Sequence, residues 1–148
     1  MGKSALFDAN IIAYAYEQSD PVRQGAAIRI LEGLEGQNAF LSVKTLSELF
    51  VTLRKPRFAM TVAQIVREIE TYSKTWPVLD LTLPIVLEAA KAVERYSLSY
   101  WDAQIWATAK HYQISAVFTE DMNVGSQLEG VQIINPLDPS FDLHSWLL

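Results

Sequence analysis

Asp8, Glu48, Asp102 and the adjacent pair Glu120 and Asp121 stand at four widely separated places in the chain. Each sits where a strand should end or a helix begin, in Phe7-Asp8-Ala9-Asn10, Ser47-Glu48-Leu49, Tyr100-Trp101-Asp102-Ala103 and Thr119-Glu120-Asp121-Met122-Asn123. Carboxylates gathered into one place repel, and some take up protons unless cations balance them. A fold that collects these acids therefore makes a site for a hard divalent cation, magnesium or manganese. Such ions serve phosphodiester hydrolysis, activating water and balancing the charge of the phosphate.

Composition removes several rival chemistries. The chain has no cysteine, so disulfides, thiolate metal sites and cysteine nucleophiles are excluded. Its two histidines, His111 and His144, argue against a histidine-rich zinc site. The net charge of −5 speaks against a protein that simply coats nucleic acid. It counts less against a metal-dependent nuclease, because bound cations attract phosphate locally. The start, Met1-Gly2-Lys3-Ser4, runs into a short apolar strand with no leader-like apolar region, and no apolar span of about twenty residues follows. A soluble, cytoplasmic protein with no membrane partner is the expectation.

The elements that must position the acids can be read from punctuation and periodicity. With 148 residues, half of them hydrophobic, and no linker or repeat, residues 1–148 read as one domain. Short apolar strands are expected at Ala5-Leu6-Phe7, Ala39-Phe40-Leu41, Val78-Leu79, Ala116-Val117-Phe118 and Val131-Gln132-Ile133-Ile134. Between them lie predicted helices: Ile11 to Glu17, Pro21 to Leu34, Val43 to Leu53 capped by Ser42, a helix capped by Thr61 and running to Ser73, one from Thr82 to Tyr96, and Tyr100 to Tyr112 capped by Ser99. Strands alternating with amphipathic helices give an α/β fold with a mainly parallel sheet. Sites in such sheets lie beyond the carboxyl ends of the strands, where Asp8, Glu120 and Asp121 fall.

Taken singly, each acid has a purely structural reading. Asp8 suits a helix N-cap, and Asn10 beside it suits orientation of the carboxylate or of a metal-bound water. Glu48 projects away from the apolar stripe Val43, Leu46, Phe50 and Leu53, toward either solvent or a cleft. Asp102 shares a helix face with Ile105, Trp106 and Ala109, and a charge on the buried side needs a partner. Ser99-x-x-Asp102 also fits a capping-box variant. Of the two acids after Phe118, Asp121 is favoured as the closer ligand and Glu120 as the second, with Thr119 and Asn123 in support. Arg54-Lys55-Pro56-Arg57 with Phe58 is the one dense basic stretch, suited to RNA phosphates and a base but also to a solvated loop. Packing is the preferred role for Tyr100 and Trp101 over base stacking. The apolar tail Phe141 to Leu148 suits packing on the domain or on a partner.

The four stretches, in this order, resemble the PIN-domain family of nucleases. Phe7-Asp8-Ala9-Asn10-Ile11-Ile12 is similar to its opening motif, an apolar strand followed by Asp-x-Asn, and Ser42 to Glu48-Leu49 to its second. Asp102 to Ala109 resembles the third, an Asp followed by a small-residue helix. Phe118-Thr119-Glu120-Asp121-Met122 resembles the fourth in a variant form, where many members have Asn-Asp-x-Asp after the Thr. Asn135-Pro136 also looks like that family. The resemblance implies an α/β/α sandwich with a five-stranded parallel sheet, and magnesium- or manganese-dependent cleavage of single-stranded or structured RNA. Asp8, Glu48, Asp102 and Asp121 would be the catalytic, metal-holding residues, with Glu120 as a further ligand. It also implies a toxin of the VapBC type, which pairs with an antitoxin and often forms a homodimer.

Rival readings are weaker. Haloacid-dehalogenase-type phosphatases need Asp-x-Asp where this chain has Asp8-Ala9-Asn10, and a receiver domain needs an early acidic pair and a late lysine. A PIN-like fold that binds RNA or protein without catalysis is the rival from another class, and intact acids at all four positions count against it.

Overall fold

In a computed structural model, which describes residues 2–148, the chain forms three layers, with a sheet between two sets of helices. The strands are β1 (Ala5–Phe7), β2 (Ala39–Ser42), β3 (Val78–Leu79), β4 (Ala116–Phe118), β5 (Gln127–Leu128) and β6 (Val131–Ile134). The helices are α1 (Ala9–Ala13), α2 (Pro21–Gly33), α3 (Val43–Leu53), α4 (Val62–Thr75), α5 (Leu83–Tyr96) and α6 (Tyr100–His111). Single 3₁₀ turns follow α1, α3 and the last strand, at Tyr14–Tyr16, Pro56–Phe58 and Leu143–Trp146.

Strand order is β3-β2-β1-β4-β6-β5, and every neighbouring pair is parallel except β5 with β6. The central strands β1 and β4 are buried along their whole length, as strands covered on both faces must be. Side chains then alternate between layers. Ala5, Phe7, Ala116 and Phe118 join the core under α1 to α4, while Leu6 and Val117 join the core under α5 and α6. Helix α6 is buried from Ala103 through Ala109, the mark of a helix packed on all sides, and its polar Gln104 and Thr108 bond to Tyr100 and to the Gln104 carbonyl within the helix.

The five expected strands are present, and the sheet departs from the five-stranded expectation by a sixth. Strand β5 turns antiparallel onto β6 through Glu129 and Gly130, both at positive φ. Two positive-φ residues make a hairpin turn normally signalled by Asn-Gly, and Glu at the first place hides it. Two further corrections concern helices. Asp8 caps a helix that begins at Ala9 and gives way to a 3₁₀ turn at Tyr14, so the helix read as Ile11 to Glu17 is shorter and earlier. On α3 the buried stripe is Thr45, Leu49 and Leu53, and Val43 is exposed.

The tail packs on the domain itself. The Trp146 ring meets Phe118 edge-on at 4.8 Å, with Phe141 stacked beside it at 6.3 Å. Leu147 and Leu148 remain exposed.

Candidate active site

The chain leaves β1 toward β2 and β3 on one side, then returns to build β4 and β6 on the other. The carboxyl ends of β1 and β4 therefore flank the point where strand order reverses, and there a crevice opens in sheets of this kind. Asp8 is the first residue after β1, and Thr119, Glu120 and Asp121 are the first three after β4.

Asp8 is buried, with 7% of its surface exposed. Its Oδ1 accepts the Ala9 backbone N–H at 2.8 Å, so the capping role is real. Its Oδ2 accepts the Thr119 hydroxyl at 2.8 Å. The Asp8 N–H donates to the Phe118 carbonyl at 2.9 Å, which ties the two strand ends together. Burial raises the pKa of this carboxyl above its ordinary value, against the lowering effects of the Thr119 hydrogen bond and of Lys44.

Thr119 is fully buried and acts as the hub. Besides donating to Asp8, its Oγ1 accepts the Asn10 side-chain amide and the Asp121 backbone N–H, each at 3.2 Å. The Asn10 amide also donates to Asp121 Oδ2 at 2.9 Å. Asn10 thus bridges the two strand ends and orients Asp121. Its own Oδ1 is shielded from solvent and has no hydrogen-bond partner, which leaves an acceptor for a cation or an ordered water.

Glu48 reaches the crevice because α3 is pinned at its start. Ser42 caps α3 by accepting the Thr45 N–H, and the Thr45 hydroxyl donates to the Phe7 carbonyl at 2.8 Å, at the end of β1. One turn further along, Glu48 faces the cleft and forms an ion pair with Lys44. Asp102 arrives from the first turn of α6. Ser99 caps that helix by accepting the Asp102 N–H at 3.2 Å, but the reciprocal bond of a capping box is absent. The Asp102 carboxylate is therefore left free for other work.

Asp8, Asn10, Glu48, Asp102 and Asp121 line one open cleft of about 280 Å³, shared with Lys44, Thr52, Lys55 and Trp101. Glu120 and Asn123 do not line it. The Glu120 carboxylate accepts the Tyr14 hydroxyl and pairs with Arg23 Nε at 3.1 Å. That hydrogen bond is the chief reason the Tyr14 hydroxyl is pushed up to about 12. Asn123 contributes its carbonyl to the turn with Ser126. The basic stretch divides: Lys55 joins the cleft, Arg57 pairs with Glu17 at 2.9 Å, and Phe58 packs on the core. A larger depression of about 460 Å³ lies beside Tyr16, Gln24 and Arg67. Its carboxylate, Glu68, already accepts the Tyr16 hydroxyl at 2.8 Å, so volume alone does not mark a reactive site.

Among the described residues no three Asp, Glu or His side chains converge tightly enough to enclose an ion directly. The donor set nonetheless fits a hydrated hard cation. All its donors are oxygen, Asp102 and Asn10 Oδ1 are uncommitted, and magnesium is usually held by one or two carboxylates and several waters.

The model of the PIN-domain family matches residues 5–125, a span that includes all four acidic positions. The chain belongs to the PIN-domain family. Among curated proteins none matches it. Solved structures share the fold at low identity. A toxin–antitoxin complex from Klebsiella pneumoniae is 24% identical, with 90% of this chain and 98% of that chain covered and a TM-score of 0.65. VapC20 of Mycobacterium tuberculosis, a toxin that cleaves the sarcin–ricin loop, is 20% identical over 81% of this chain and 92% of its own, with a TM-score of 0.67. VapBC2 of Rickettsia felis, bound to a DNA fragment from its promoter, is 15% identical over 87% and 96%, with a TM-score of 0.62.

Within this PIN domain the two acids after β4 have separate surroundings. Asp121 faces the cleft, and Glu120 is engaged by Tyr14 and Arg23. Glu120→Gln should therefore leave any metal-dependent cleavage within about threefold of wild type, whereas Asp121→Asn should lower it at least about thirtyfold, no less than the loss of a residue that merely supports a metal ligand. Initial rates at saturating manganese would check this, and equal losses in the two variants would contradict the division.

Sequence reasoning passed over Lys44, Thr45 and Thr52. Lys44 had a readable signal, its i, i+4 spacing from Glu48. Thr45 and Thr52 had none beyond their place on a helix.

Proposed function

We propose that this PIN domain is a divalent-metal-dependent endoribonuclease and the toxin of a toxin–antitoxin pair. The observation that carries the reading is the convergence of Asp8, Glu48, Asp102 and Asp121 on one cleft at the switch point of the sheet. When bound there, magnesium or manganese would supply Lewis-acid activation of water and charge balance at the scissile phosphate. The residues present prepare the rest. Asp8 is held in one orientation by Ala9 and Thr119, and Asp121 by Asn10. Lys44 and Lys55 offset part of the carboxylate charge, which lowers the repulsion an incoming phosphate meets. No histidine lines the cleft, so the proposed hydrolysis uses no imidazole base. Its products would carry a 5′-phosphate and a 3′-hydroxyl.

An antitoxin partner is supported by the likeness to toxin–antitoxin complexes, and a homodimer is what the family resemblance implies. No helix among the described residues is long and apolar enough to cross a membrane.

The test is cleavage of labelled single-stranded RNA with manganese, with magnesium, with chelator, and by the Asp8→Asn variant. Cuts that need metal and vanish in the variant are expected. No cutting together with no manganese binding by calorimetry would replace this reading with a non-catalytic binding module.

A further inference from the structure

The four tryptophans divide sharply. Trp76, Trp106 and Trp146 are exposed by 4%, 0% and 7%, and each has a structural task. Trp76 Nε1 donates to the Leu34 carbonyl, Trp106 Nε1 donates to the Leu128 carbonyl, and Trp146 packs on Phe118. Trp101 is 62% exposed. Its packing partner is Tyr100, edge-on at 5.2 Å, and among the described residues its indole N–H has no hydrogen-bond partner. Packing, the role favoured from sequence, does not account for it.

Its place in the fold is specific. Trp101 stands in the first turn of α6, one residue before Asp102, and lines the same cleft as Asp8, Asp121, Lys44 and Lys55. A lone exposed aromatic on a random surface needs no explanation. An aromatic ring that shares a cleft with two lysines is the combination that grooves for single strands use: cations follow the backbone and a ring stacks a base.

We propose that Trp101 is a stacking platform for an unpaired nucleobase of the RNA in this cleft. The bases of a duplex are stacked inside the helix and cannot reach an isolated ring on a cleft wall. Lys44 and Lys55 meet the phosphates that flank the stacked base. The inference rests on the proposed RNA-directed function, but it concerns binding and is tested without cutting.

Full-length protein carrying Asp8→Asn would be titrated with a short single-stranded RNA and with a duplex of the same composition. Tryptophan fluorescence would be quenched by acrylamide, a neutral quencher indifferent to the acids of the cleft. The other three indoles are buried, so the quenchable signal belongs mainly to Trp101. The single strand should cut acrylamide quenching at least about twofold, and the duplex should leave it unchanged. Adding Trp101→Ala should weaken single-strand binding about tenfold or more, and Trp101→Phe should recover most of the loss. Circular dichroism of Trp101→Ala should match the parent, since the side chain lies outside the core. Unchanged single-strand affinity in Trp101→Ala would overturn the proposal, as would equal protection by duplex. Protection that appears on concentrating the protein without RNA would assign the ring to a second copy and overturn it as well. Loss of RNA binding in Trp101→Ala, with no cleavage by wild type under any metal, would keep the platform and reject the nuclease. Metal-dependent cleavage by wild type with undiminished RNA affinity in Trp101→Ala would do the reverse.

Discussion

Asp8→Asn is expected to lower RNA cleavage about a thousandfold or more while leaving the fold intact. The loss follows from what the carboxylate is placed to do. Charge stabilisation by a bound metal ion supplies several kcal/mol to such reactions, and each 1.36 kcal/mol is a factor of about ten in rate. Asp8 is the most deeply set acid of the cleft, and Asn cannot supply its charge. One of the two structural bonds survives the change: an Asn side-chain oxygen still accepts the Ala9 N–H, whereas the Thr119 hydroxyl, already accepting from Asn10 and Asp121, cannot take a third bond from the Asn amide and loses its acceptor at position 8. Single-turnover rates at saturating manganese, with circular dichroism as control, check the claim. A variant that cuts within about tenfold of wild type would remove Asp8 from the reacting centre.

The same substitution has a signature in stability. Burial raises the pKa of Asp8 in the folded protein above its unfolded value, near 3.9. Between those two pKa values the folded state binds the proton more tightly, so wild-type stability falls as pH rises through that window. Above the raised folded value the penalty is complete. Asp8→Asn carries no such penalty. The variant loses the Thr119 bond at every pH, so the signature is in the difference between the two proteins. With metal chelated, its midpoint in urea relative to that of wild type should be highest at pH 7 and should fall as pH drops through the window to below the unfolded pKa. A difference that grows as pH falls would mean that the ionised carboxylate holds the metal-free fold together.

These expectations rest on parts of the fold that were readable in uneven measure. Helix α3 has the boundaries read from sequence because three local signals agree: the Ser42 cap, the helical run to Leu53 and the stop before Pro56. The strands of the sheet core were legible as isolated apolar triplets, since strands covered on both faces carry no alternation to confuse. Strand β5 was not legible, because two residues and a Glu129-Gly130 turn leave no periodic trace. For the site, the order of the acids marked the places but not the directions. Glu120 and Asp121 are neighbours outside any helix, so which one meets the cleft depends on Tyr14 and Arg23, over ninety positions earlier. Trp101 shows the limit most plainly. It precedes a helix segment buried on every side, and one step of helical rotation separates a core position from an exposed ring.

Lys44→Gln is expected to tighten manganese binding by about tenfold or more and to slow cleavage. The Lys44 side chain is only 12% exposed, and its ammonium pairs with Glu48 inside the cleft. It also acts on Asp8, pulling the pKa of that carboxyl down against the effect of burial. A divalent ion drawn to these carboxylates must displace the ammonium or sit beside it. At separations of about 6 Å and effective dielectric constants of about 40 to 80, a charge of one facing a charge of two costs roughly 1–3 kcal/mol. Tenfold in affinity is about 1.4 kcal/mol. Gln keeps the polarity and most of the length, and it releases Glu48 to the metal. The phosphate loses a nearby positive charge in the same step, so the rate at saturating manganese should fall severalfold. Affinity for the ion and rate of cutting thus move in opposite directions, a pattern that general unfolding cannot produce. Calorimetric titration of chelator-stripped protein at fixed ionic strength reads the first, and initial rates read the second. Lys44→Arg, which keeps the charge, should leave manganese affinity near that of wild type. Equal affinity in wild type and Lys44→Gln would show that the ammonium and the metal do not compete for Glu48.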